Sequence, residues 1–173
     1  MTRLAYGMRV VATLAFVATT GCKQKAQLST DAVDSSLVMS LERGPCRGRC
    51  PVYRVDVYGD GKVRFDGKQY VGTIGAQNGT APAAAVQDLL RTIQNSEFSS
   101  VDTSFVMGSA ACGQYMPDLP MSKLSAKLGT QMKTVHHDPG CRNAPRFLRT
   151  LEAQVDSVAR TARWIAGNGD AAK

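Results

Sequence analysis

Three consecutive side chains, His136-His137-Asp138, are of the types that acid–base chemistry needs. Imidazole takes and returns a proton near neutral pH, and a carboxylate can orient it. In a strand, His136 and Asp138 share one face and His137 points to the other. A hydrolase or metal-dependent enzyme built on His136, His137 and Asp138 would therefore need a second element to complete its site. No Ser or Cys stands in a recognisable nucleophile motif, and spacing places no second acid. The preferred reading is polar residues closing an edge strand before Pro139-Gly140. His136 and Asp138 are kept as ligand-binding candidates, and no residue is assigned as catalytic.

The five cysteines are the other reactive set. Zinc accepts thiolate and imidazole, but the long gap from Cys50 to Cys112 and the lone Cys141 do not match ribbon or finger spacing, so no metal is expected. Three residues separate Cys46 from Cys50, one more than in thioredoxin-type pairs, and no βαβ pattern surrounds them, which argues against redox catalysis. Cys46, Cys50, Cys112 and Cys141 allow three disulfide pairings. The favoured one joins Cys46 to Cys50 across a turn and Cys112 to Cys141 between a loop and the last helix. On the chain-entropy model the shorter link contributes about 2 kcal/mol and the longer about 3.5 kcal/mol, before strain. Arg43, Arg47, Arg49 and Arg54 surround the first pair. Convergent arginines would grip an anion bidentately; a solvated face is the preferred reading, with Arg47 and Arg49 as ligand-binding candidates. Gly59-Asp60-Gly61 lacks the strand-to-helix setting of a phosphate loop, so no nucleotide or other cofactor is expected.

The chain opens with Arg3 and Arg9, no acid, and an apolar stretch Val10–Ala18 before Thr19-Thr20-Gly21-Cys22. That order is a secretory signal over 1–21, its apolar core only half the length that crosses a bilayer. Gly21-Cys22 resembles the lipobox of bacterial lipoproteins, although Thr19 stands where Leu is usual. Cys22 is then the lipidated first residue of the mature chain. The odd cysteine count agrees, because lipid on Cys22 leaves four to pair in an oxidising compartment. Asn78-Gly79-Thr80 matches a glycosylation sequon, which a bacterium normally leaves unread.

Losing Arg3 and Arg9 takes the basic count from 21 to 19 against 14 acidic side chains, and the net charge from +7 to +5. The charges are scattered with few aromatics among them, so a nucleic-acid partner is not expected. Such a charge can attract anionic lipid head groups or an acidic cell-wall polymer, but a solvated basic surface is the preferred reading. The mature length suits one domain.

Residues 22–36 are polar and aperiodic, a tether. Val38–Arg43 reads as a strand, and Tyr53, Val55 and Val57 alternate with Arg54 and Asp56 in the next. Gly59-Asp60-Gly61 turns it into Lys62–Phe65. Tyr70–Ile74 is predicted as a third strand of that group. Thr80 is predicted to cap a helix carrying Pro82 in its first turn and the stripe Val86, Leu89, Leu90, Ile93. Ser122–Leu128 and Gln131–His137 form a hairpin about Gly129-Thr130. Asn143 and Pro145 open a last helix whose stripe runs Leu148, Leu151, Val155, Val158, Ala162, Ile165, and 167–173 is a frayed tail. The expected fold is α+β: a mainly antiparallel sheet of β-hairpins, two helices packed on one side, stapled by disulfides.

Five pieces, Cys46-Arg47-Gly48-Arg49-Cys50-Pro51-Val52-Tyr53, Val57-Tyr58-Gly59-Asp60-Gly61, Asp118-Leu119-Pro120, Lys133 ahead of Gly140-Cys141, and Arg163-Trp164-Ile165, make one pattern. It resembles the bacterial family known as domain of unknown function 6438, found in lipoproteins and secreted proteins, over about residues 37–166. The resemblance implies an envelope-associated domain without an established activity. The functional expectation is a non-catalytic binding module held to the membrane through the Cys22 lipid, on the outer membrane in a Gram-negative cell, with another envelope protein or an anionic cell-wall component as partner. Simple secretion to the periplasm is the alternative address.

Overall fold

The structure is a computed structural model that describes residues 35–167. The expected signal peptide, Cys22, most of the expected tether and the tail beyond Gly167 lie outside the described residues. Seven strands, β1 (Leu37–Arg43), β2 (Val52–Tyr58), β3 (Lys62–Gln69), β4 (Gly75–Thr80), β5 (Ser104–Phe105), β6 (Ser122–Leu128) and β7 (Gln131–His137), form one sheet. Its order is β4-β3-β2-β1-β6-β7-β5. Every pairing is antiparallel except the short β5 beside β7. The helices α1 (Ala83–Gln94) and α2 (Arg146–Ala159) pack on each other and against the sheet, and α3 (Ala162–Ile165) ends the described chain. The expected α+β fold is present, including both disulfides, Cys46–Cys50 and Cys112–Cys141.

Period-two alternation explains how the sheet buries one face. Met39 and Leu41, Val55 and Val57, Val63 and Phe65, Leu124 and Ala126, and Val135 all turn to the helices and are buried. The α1 stripe Val86, Leu89, Leu90 and Ile93 meets them, joined by Leu148, Leu151 and Val155 of α2. Phe98, fully buried in a 3₁₀ turn after α1, fills the core from a loop that carries no periodic signal.

Three expectations are corrected. Tyr70–Ile74 is the turn between β3 and β4, with Tyr70 in the left-handed region at φ 51°, and the strand proper is Gly75–Thr80. Its sequence shows no apolar alternation because the inner side of β4 accommodates larger groups from α3. A Cβ on Gly79 would collide with the Arg163 guanidinium and lie 3.0 Å from the Trp164 ring. Thr80 is therefore in a strand, and α1 begins after Pro82 with no side-chain cap. The last helix is broken: Arg160 adopts φ 54°, ending α2 and redirecting the chain. The break exposes Ala162 and buries Trp164, which stacks on Phe65 at 4.9 Å, Phe65 in turn lying 5.3 Å from Tyr53.

Candidate functional site

Antiparallel register carries two rows of side chains across the same strands, one residue apart and so on opposite faces. On the face away from the helices the row is Asp66, Arg54, Glu42, Lys123 and His136. Arg54 Nη1 donates to Glu42 Oε1 at 2.8 Å, and Lys123 Nζ lies 3.1 Å from Glu42 Oε2. Arg54 Nε also reaches Asp56 at 2.8 Å, and Lys68 pairs with Asp66 at 2.6 Å. All of these charges except Asp56, together with Pro45, Val52, Met121 and the inward-facing Arg43, Tyr53 and Ser122, line a cleft of about 530 Å³ where the Cys46–Cys50 loop leaves the sheet. Gly44 N–H donates to Met121 O at 2.7 Å, tying one side of that loop to the start of β6. The disulfide closes the loop on itself, with Gly48 N–H directed to Cys46 Sγ at 3.2 Å.

On the helix-facing side the row is Tyr53, Arg43, Ser122 and His137, and α2 brings Glu152 and Asp156 down onto it. Arg43 bridges the two acids, Nη1 to Glu152 at 2.7 Å and Nη2 to Asp156 at 2.9 Å. Tyr53 Oη and Thr161 Oγ1 donate to Asp156 Oδ1 at 2.6 and 3.0 Å. Ser122 Oγ and His137 Nδ1 converge on Glu152 Oε1 at 2.5 and 2.7 Å. Burial works to raise the Glu152 pKa, but the His137 and Ser122 hydrogen bonds and the Arg43 charge outweigh it and hold the carboxyl below its usual value. With Glu152 ionised, His137 Nδ1 is the donor of that bond. Burial and the Asp156 carboxylate push the Tyr53 phenol well above its usual range.

Ser122, His137 and Glu152 are the residue types of a hydrolytic triad, but not its geometry. The hydroxyl donates to the acid instead of to the imidazole, so His137 is not placed to take its proton. All three are buried. This is a structural clamp between α2 and the end of the sheet.

The histidine pair divides as its spacing predicts: His136 is exposed at the end of the cleft row and His137 is buried. Asp138 does not share the His136 face. It lies past the end of β7, where its carboxylate turns inward to accept from Tyr115 Oη at 2.9 Å and Gly140 N–H at 2.8 Å. That hydrogen bond raises the Tyr115 pKa. Asp138 thus shapes the turn before Cys141 and has no common site with His136. The four arginines also separate. Arg43 is in the clamp, though it lines the cleft together with Arg54; exposed Arg47 reaches Asp118 at 3.3 Å, and Arg49 lies over the Tyr70 ring at 5.4 Å. Among the described residues no group of three or more His, Cys, Asp or Glu side chains is placed to hold a metal ion.

Glu152 and Asp156 were missed as partners of this row. Their signal is legible: they sit four residues apart beside the apolar positions Leu148, Leu151 and Val155, so their carboxylates border the buried face of α2. Arg43 continues the inward parity of Met39 and Leu41.

Fold and site define a disulfide-stapled α+β domain with a charged cleft at one end of its sheet. The family model described as domain of unknown function (DUF6438) matches residues 37–159, and the chain belongs to that family. The match stops before Arg163-Trp164-Ile165. No curated protein matches the chain.

Proposed function

We propose that this protein is a lipid-anchored envelope protein whose domain binds an anionic ligand, a cell-wall component or an acidic surface of another envelope protein, in the cleft beside the Cys46–Cys50 loop. The cleft carries the reading: Arg54, Lys68 and Lys123 line it from three strands, beside apolar Pro45, Val52 and Met121. Each cation is half-exposed and already paired with Glu42, Asp56 or Asp66. An entering anion would share a cation held in place on a rigid sheet, so little side-chain freedom is lost on binding. The leader, Gly21-Cys22 and the odd cysteine count support the lipid anchor.

The test is cosedimentation of the membrane-extracted protein with purified cell-wall sacculi, with intact mass recorded on the same preparation. Binding should weaken with salt and fall at least tenfold in the double variant Lys68→Glu, Lys123→Glu. The mass should show an acylated Cys22 as the first residue. Salt-independent retention or an unaffected double variant would contradict the cleft; a mass without acyl chains would contradict the anchor.

A further inference from the structure

The edge of the sheet at β4 has a different character from the cleft. Edge strands normally protect their unpaired backbone groups with charge, proline, a bulge or shortness. The opposite edge, β5, is two residues long. β4 is six residues, Gly75-Ala76-Gln77-Asn78-Gly79-Thr80, with no charge and no proline, and its register with β3 runs unbroken from Lys62↔Thr80 to Gly67↔Gly75. The bond from Ala81 N–H to Gly61 O, at 2.8 Å, makes Gly61 and Ala81 a hydrogen-bonded pair. By antiparallel alternation Val63–Gly79, Phe65–Gln77 and Gly67–Gly75 are hydrogen-bonded pairs too. The N–H and C=O groups of Ala76, Asn78 and Thr80 therefore point out of the sheet, and all three residues are exposed.

Two guanidinium groups flank this edge, one on each face. Arg64 is the β3 partner of Asn78 on the open face; it is exposed and makes no ion pair among the described residues. Arg163 lies on the helix face, its Cζ 3.9 Å from the Trp164 ring centroid and its guanidinium packed against Gly79. Arg163 Nε and Nη2 are buried without hydrogen-bond partners. An added strand's residue opposite Gly79 would lie about 5 Å from β4 on the Arg163 side, and its neighbour opposite Asn78 would lie within reach of Arg64 on the other side.

We propose that β4 is a strand-addition site for an extended peptide segment of a partner protein, and that the segment carries acidic side chains at two adjacent positions, one facing Arg64 and one facing Arg163. Backbone ladder bonds to Ala76, Asn78 and Thr80 supply affinity, and the two arginines supply selection. A second copy of this chain fits less well, because its own β4 brings no acid to either arginine.

The test is a selection from a random library of displayed linear twelve-residue peptides against the full mature protein, followed by titration of the enriched peptides. Enriched sequences should carry adjacent Asp or Glu within a strand-forming segment. Replacing that acidic pair with Lys should weaken binding at least tenfold, and Arg64→Glu, an exposed substitution whose fold circular dichroism checks, should do the same. Asn78→Pro removes an outward N–H, not a ladder bond, and should abolish binding while circular dichroism stays unchanged; if that variant misfolds, Arg64→Glu and amide-exchange protection at Ala76, Asn78 and Thr80 decide. No enriched peptide, enrichment without acids, binding that survives Arg64→Glu, protection elsewhere in the sheet, or concentration-dependent self-association through β4 would overturn the proposal.

Discussion

Replacing Glu152 with Gln keeps the side chain's shape and removes its charge from a carboxylate that serves Arg43, Ser122 and His137 at once. One carboxamide oxygen still accepts, but the new NH₂ group faces either the Arg43 guanidinium or the Ser122 and His137 donors, so at least one contact becomes donor against donor. Removing one partner of a buried ion pair typically destabilises by about 3–5 kcal/mol; Arg43 retains Asp156 and its side chain is 22% exposed, which brings the cost below that range, to about 2–3 kcal/mol. For a domain of this size that is a fall in Tm of about 10 °C. The pH dependence has a fixed sign. Glu152 titrates lower in the folded protein than in the unfolded chain, where a glutamate has a pKa of about 4.3, so its contribution is full above that pH and is lost as pH falls through the folded value. Urea unfolding at pH 7 and pH 3, with disulfides intact, should show a gap between the proteins that narrows in acid. A gap below about 1 kcal/mol at pH 7, or one that does not narrow, would refute the clamp.

Tyr53→Phe removes the 2.6 Å bond to Asp156 and should destabilise by about 1–2 kcal/mol. Because the folded phenol holds its proton to higher pH than the unfolded one, its contribution is complete below about pH 10 and lost above it, so base titration of the variant should show a shallower alkaline decline. Gly67→Ala sets a methyl against the Thr73 carbonyl, while Gly75→Ala meets open space at φ 85°. Thermal unfolding should place the first several degrees below the second, whose strain is about 1 kcal/mol. The double variant Cys112→Ala, Cys141→Ala should lose about 3.5 kcal/mol in urea unfolding, and the smaller Cys46–Cys50 loop about 2 kcal/mol by the same measurement.

The elements that the sequence announces are those whose burial is periodic. Val52–Tyr58, the hairpin of β6 and β7, and the α1 stripe each bury alternate or helically spaced apolar residues, and each lies where its pattern places it. β4 was displaced because its inner side is kept empty for Arg163 and Trp164, so glycine replaces the apolar signal. The break at Arg160 has no local marker, since glycine or asparagine is the usual residue at φ 54°. His136-His137-Asp138 shows how far a motif reaches: parity separated the histidines correctly, but Asp138 lies where the strand has ended and the alternation rule no longer holds. The clamp and the cleft depend on which strands are neighbours, β1 between β2 and β6, and no local pattern contains that order.

Titrating the isotope-labelled domain with soluble fragments of purified cell wall, and mapping amide shift changes by NMR, tests the binding cleft most directly. Saturable changes should concentrate at Glu42, Val52, Arg54, Lys68, Lys123 and His136, weaken with salt and be absent in the double variant Lys68→Glu, Lys123→Glu. Changes centred away from these residues, or a titration that persists in that variant, would contradict it.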